Sequence, residues 1–403
     1  MVVIFADTDK MKNRFFFPLL VLTLLLAFAL SLETAVASET AREYVRFLHN
    51  GQERSEEGRV ILEAPEGFAL EARDGRLYVI TPRTLIARRT INAPFVPYTK
   101  AELIERLKEE FPPSEGFHYL DNHGPFIVVY TTSRAFASWV GSLLERVHQQ
   151  YVIHWRRLGV ELTEPKFPLV AIVLSNEEQF REHVRREGVT LFPAQRAYYH
   201  KLTNRIVLHD MTGLQVLREG DQRRATAADI QRFLAQPNAY RNVMTVVHEA
   251  VHQVGFNTGM HPRYVPNPVW LYEGLALLHE VPDFRHRTGW SLGPRINPPR
   301  LDRLRQLLNR PHQDSPIKRM LQDDDMFRRS ETALDNYALA WGLTYYLVRR
   351  RPSEFAAYLK TLQNKTVESD DNAEIRIRDF EAAFGSNWDA FDRDFLNFIS
   401  RLR

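Results

Sequence analysis

Apolar and polar residues follow three regimes along this chain. The first is a solid apolar run, Phe15 to Leu30, with Lys12 and Arg14 ahead of it and Ala35-Val36-Ala37 behind. A basic start, an apolar stretch and small residues at a cleavage site make a secretory signal peptide over 1–37. The run is short for a spanning helix and contains Pro18, so no stable membrane anchor is expected after cleavage. A start at Met11 gives a more compact basic segment than one at Met1.

The second regime, Arg59 to Pro94, breaks into short strand-like runs at "APEGF" and "RDGR". Asp74-Gly75 in the second break is a hairpin signal. This predicts a small N-terminal β-barrel-like module over 38–95. From residue 96 the apolar spacing lengthens. Thr99 and Glu102 form a capping box for a helix, and Ser133 caps a long one reaching Leu158. "PFIVVYTT" and "PLVAIVLS" read as buried strands, and Asn176 to Gly188 as an amphipathic helix. Two more strands flank a Leu202-Thr203-Asn204 turn, and the chain beyond Ala225 is mainly helical. The fold class is α+β, with a mixed β-sheet and a mainly helical C-terminal part in a second domain over 96–403.

Composition adds limits. A chain of 403 residues with 44% hydrophobic content can bury more than one core. The 53 basic residues nearly balance the 50 acidic ones, and no long basic run exists, so no nucleic-acid partner is indicated. The absence of cysteine rules out disulfides, a lipoprotein anchor and thiolate metal ligands.

The candidate chemistry lies in "VVHEAVHQVGF", Val246 to Phe256. A helix capped by Asn238 and running from Ala239 to Gly255 puts His248 and His252 on one face, one turn apart. Both imidazoles can then reach one zinc ion, with Glu249 beside them as a general base acting on water. A third ligand is needed. The metzincin continuation fails on register, because Thr258 stands where its last histidine belongs and His261 comes three residues late. Glu273 is favoured over His279, which is two turns further along the next helix. Asn267 and Pro268 are suited to start that helix, and Gly274 lets it approach the histidine helix.

"HEAVH" followed by "WLYEGLA", with Glu273 21 residues after His252, resembles the gluzincin metallopeptidases. More closely, "VVHEAVHQVGFNTGMH", "NPVWLYEGLALLHEVPD" and "YALAWGLTYYLV" resemble an uncharacterised family common in planctomycete-type bacteria and classed with gluzincin peptidases. The resemblance runs from about Phe117 to the C-terminus. It implies zinc held by His248, His252 and Glu273, and hydrolysis of a peptide or protein substrate. Departures limit it. Asn238-Ala239-Tyr240 has a substrate-strand composition but sits only ten residues before His248, and no Gly-x-Met-Glu-Asn segment is present. Leu277 stands where thermolysin-like sites place a supporting aspartate. Glu280, seven residues after Glu273, reads equally as a substitute on that face and as a solvated glutamate at the helix end. Gluzincins commonly supply a tyrosine or histidine to the carbonyl oxygen from a later helix, and here Tyr337 is the candidate. Its alternative role is the first member of an aromatic core stripe with Trp341 and Tyr345. The strand Asn204–Asp210 reads equally as a cleft lining that pairs with an extended substrate and as an interior strand. The expected function is zinc-dependent peptide-bond hydrolysis by an exported protein, with Glu249 activating water. The alternative is a zinc-binding, non-catalytic envelope scaffold.

Overall fold

The computed structural model describes residues 41–403 apart from 192–194, 213–225, 238, 287, 294 and 311–313. The expected signal peptide and the Asn238 cap lie outside the described residues.

The N-terminal module is a five-stranded antiparallel sheet: β1 (Ala41–His49), β2 (Gln52–Ala64), β3 (Gly67–Ala72), β4 (Leu77–Ile80) and β5 (Leu85–Pro94). Its order is β4-β3-β2-β1-β5. The module is an open sheet with no barrel closure among the described residues. β4 and β5 are its two edges and do not pair with each other, and the Leu77 amide donates to Leu202 O in the second domain at 2.8 Å. One face buries Val45, Phe47, Phe68, Leu70 and Ile80. Strand β1 was not expected from the sequence, since its alternation shows only Val45 and Phe47 as buried residues. Its turn did carry a signal. Asn50 and Gly51 both have positive φ, 51° and 79°, as a two-residue hairpin requires.

The second sheet holds β6 (His118–His123), β7 (Phe126–Tyr130), β8 (Leu169–Leu174), β9 (Ala197–His200) and β10 (Arg205–His209), in the order β6-β7-β8-β10-β9. The central pairs β7–β8 and β8–β10 are parallel, while β6 and β9 are antiparallel edges. Buried parallel strands must be apolar on both faces. Val128, Ala171, Val173 and Ile206 face one core, and Ile127, Val129, Ile172 and Val207 face the other. The first face is covered by α2 (Arg134–Arg157) and α5 (Ala239–Asn257), the second by α1 (Lys100–Glu110) and α3 (Glu177–Arg186). The capping box of α1 and the Ser133 cap of α2 form as expected.

Of the two readings of Asn204–Asp210, the structure shows the interior strand and not the cleft lining. That segment is β10, which pairs with β8 on one side and β9 on the other, so it has no open edge. The edge strand near α5 is β9.

The rest is helical. After α4 (Ala227–Leu234) and α5 come α6 (Val269–His279), α7 (Pro298–Leu308), α8 (Pro316–Gln322), α9 (Ala333–Arg350), α10 (Pro352–Gln363), α11 (Ala373–Phe384) and α12 (Trp388–Ser400). Among the described residues, no helix is long and apolar enough to cross a membrane.

Candidate metal centre

Helix α5 is buried because it carries Val243, Val246, Val247, Val251 and Val254 against the sheet and α2. His248 and His252 project from it one turn apart, with Nε2 atoms 3.0 Å from each other. Glu273, in the second turn of α6, brings Oε2 to 3.3 Å from His248 Nε2 and 3.7 Å from His252 Nε2. Zinc bonds of about 2.0–2.2 Å in tetrahedral geometry separate ligand atoms by roughly 3.3 Å, so the three atoms suit one small cation. Among the described residues this is the one His/Asp/Glu group that converges in this way.

The rejected third-ligand candidates lie elsewhere. His261 packs against Phe256 and Tyr272. His279 faces Tyr151, His154 and Trp155. Glu280 is placed as its spacing suggested, with Oε2 2.8 Å from His248 Nδ1. Its other oxygen accepts from Asn297 Nδ2 at 2.9 Å. This chain assigns the Nδ1 proton of His248 toward Glu280 and leaves Nε2 for the ligand position. Leu277 is fully buried core.

Burial makes the charge balance decisive. Glu249, Glu273 and Glu280 are each 0% exposed around two imidazoles. Burial alone would lower the His248 pKa, but its bonds to Glu273 and Glu280 outweigh this and push it up to about 9. Burial, then the neighbouring His248, holds His252 well below the usual histidine range. Burial pushes Glu249 up to about 7, and Glu273 adds to this while His248 opposes it. Three buried carboxyl groups surround two buried imidazoles, a donor set whose chemistry suits a bound cation.

Glu249 is oriented by its two oxygens differently. Oε2 accepts the Tyr199 backbone N–H of edge strand β9 at 2.7 Å. Oε1 is buried with no hydrogen-bond partner among the described residues. Tyr337, near the start of α9, is 4% exposed. Its ring meets Phe327 edge-on and lies 5.5 Å beneath the Arg300 guanidinium. Its hydroxyl is buried without a hydrogen-bond partner among the described residues. Burial, then Glu273 and Tyr272, raise its pKa well above the usual tyrosine value.

Two expectations about α6 are corrected. Asn267 does not cap it. The Asn267 amide donates to Pro262 O and Val265 O, and the first free amide, Val269 N–H, is taken by Asp324 Oδ1 at 3.0 Å. Gly274 does permit a close approach, but to α9 rather than α5. A Cβ there would stand 2.2 Å from Thr344 Oγ1 and 2.9 Å from Ala340 O. Sequence reasoning also missed Tyr199, Asn297 and Asp324. Tyr199 acts through its backbone, which carries no residue signal. Asn297 stands before Pro298-Pro299 and reads as a helix cap.

A comparison with curated proteins finds no match. The uncharacterised family described as "Protein of unknown function (DUF1570)" matches residues 242–368. The matched segment contains His248, Glu249, His252, Glu273, Glu280, Asn297 and Tyr337, so the chain's similarity to that family coincides with its candidate metal centre.

Proposed function

We propose that this protein is an exported, zinc-dependent hydrolase of peptide bonds. The observation that carries the reading is the triangle of His248, His252 and Glu273 donor atoms beside a carboxylate with one oxygen fixed and the other unpartnered. His248, His252 and Glu273 would hold the ion. When bound, zinc acidifies water and polarises a carbonyl. Glu280 and Asn297 keep the His248 ring in place. Glu249 Oε1 takes the proton of the attacking water and later returns it to the leaving amine, while the Tyr199 amide holds Oε2. The Tyr337 hydroxyl is a donor for the developing carbonyl oxyanion.

The test is metal content together with cleavage of an unstructured protein such as labelled casein. About one zinc per chain is expected, lost in His248→Ala and His252→Ala and weakened by roughly 10- to 100-fold or more in Glu273→Ala. Glu249→Gln should keep zinc and fold but lose nearly all turnover. One observation favours a second reading. All three ligand residues are at most 1% exposed, as in a closed structural metal site. Wild-type protein that binds zinc tightly and cleaves nothing in a mixed peptide library would support a scaffold and overturn the hydrolase.

A further inference from the structure

Helix α5 carries three polar side chains at successive turns, Glu249, Gln253 and Asn257, and all three engage the β9–β10 hairpin. Glu249 accepts from the Tyr199 amide at 2.7 Å. Gln253 Nε2 donates to Asn204 O at 2.8 Å and to Val170 O at 3.1 Å. Asn257 and Asn204 exchange side-chain amide bonds of 2.7 and 2.9 Å. The Tyr199 hydroxyl closes the ring by donating to Asn204 Oδ1 at 2.9 Å. Asn204 is 3% exposed and takes a left-handed φ of 60°, which asparagine tolerates better than most residues. From the other side, the N-terminal sheet reaches the same turn, through Leu77 N–H to Leu202 O at 2.8 Å and through Gly75, packed against the Asn204 amide.

The spacing matters because Tyr199 has two attachments to α5. Its amide bonds Glu249, and its hydroxyl, through Asn204, ties to Asn257 two turns along. The ring between them stacks on Phe256 at 5.8 Å. A shift of the hairpin along α5 would move the amide off Glu249. We propose that Asn204, Gln253 and Asn257 are positioning residues that hold the Tyr199 amide against Glu249, with the N-terminal sheet bracing the hairpin from outside. Their effect on turnover rests on the proposed hydrolysis; their effect on the amide does not.

Residue-resolved hydrogen exchange on the full chain tests this, with Glu249→Ala as the reference for a released Tyr199 amide. In Asn257→Ala and in the near-isosteric Gln253→Met, Tyr199 exchange should quicken by roughly 10-fold or more, toward the reference. The Tyr198 and His200 amides, which face β10, should stay protected. Zinc content should hold, and kcat on labelled casein should fall by roughly 10- to 100-fold with KM little changed. Unchanged Tyr199 exchange in a folded variant would overturn the proposal. So would an equal loss of protection at Tyr198, Tyr199 and His200, which marks plain structural stitching. If Gln253→Met fails to fold, the partly exposed Asn257 still decides. If the wild type cleaves no casein, the hydrolase reading falls while the exchange result stands.

Discussion

One oxygen atom separates the two roles of Tyr337. Its ring is plainly packed, against Phe327 and under Arg300, as the aromatic-stripe reading requires. The stripe continues in Trp341 and Tyr345, stacked 5.5 Å apart. The hydroxyl is harder to explain by packing, since a buried, unpartnered hydroxyl costs about 1–3 kcal/mol. Tyr337→Phe should therefore leave the melting temperature unchanged or raised, while kcat falls by roughly 10²-fold. Unchanged kcat in a zinc-loaded variant would assign the residue to the core alone. At this scale the sequence reveals what local spacing encodes. His248 and His252 share a helix face by their separation of four, and Glu273 and Glu280 share one by their separation of seven. Tyr199 and Asn297 were not legible, because each reaches the centre from a distant segment through a backbone amide or a side chain that suits a cap equally well, and Asp324 was not, because it meets the start of α6 from a distant segment.

The ligand elements α5 and α6 and the tyrosine helix α9 could be read from apolar periodicity, because each must bury a continuous face. Their mutual packing could not. Gly274 is the clearest case: the absent side chain was legible as a close approach, but only the structure identifies α9 as the neighbour. Gly274→Ala should push α6 off α9, where the nearest obstacles are Thr344 Oγ1 and the immobile Ala340 carbonyl. Overpacking of this kind costs about 1–3 kcal/mol. Because Glu273 is the preceding residue, the same variant should bind zinc more weakly than wild type, which competition with a metal-sensitive chelating dye measures. Full affinity with full stability would show that α6 slides without disturbing its carboxylate. The sheets tell the same story. β7, β8, β9 and β10 were legible as strands, yet the placement of β10 inside the sheet and β9 at its edge depends on pairings between distant segments.

The whole molecule joins its two sheets through charge. Arg76 of the N-terminal module and Arg205 of β10 both bond Glu110 at the end of α1, at 2.6 and 2.8 Å. Burial opposes ionisation of Glu110, but Arg205 and Arg76 outweigh it and hold its pKa well below the usual carboxylate range. This contribution to stability is present at neutral pH and is lost in acid. Several buried histidines act in the same direction, whereas His248, pushed up to about 9, acts in the opposite one. Burial lowers His183 and His200 to about 4, and His261 and His279 to about 3. An unfolded histidine takes a proton below about pH 6.5, so the unfolded chain binds more protons than the native one in acid. Stability should fall as pH drops from about 6.5 toward 4, seen as a lower melting temperature at pH 5 than at pH 7.5 with chelator in both buffers. His279→Phe, inside its ring-lined site, should flatten that slope. Export belongs to this scale too: intact mass should show a mature chain starting at Ser38, and a full-length chain in membranes would indicate an anchor instead. The placement of the ligands along the chain also sets an order of events. His248, His252 and Glu273 fall within residues 248–273, on two helices joined by one loop, whereas the amide that aims Glu249 arrives from Tyr199 through a partly parallel sheet. Short loops close fast and parallel sheets assemble slowly. Under the proposed function, a chain whose sheet is not yet assembled carries its ligand residues close together in sequence but lacks the Tyr199 amide that aims its base.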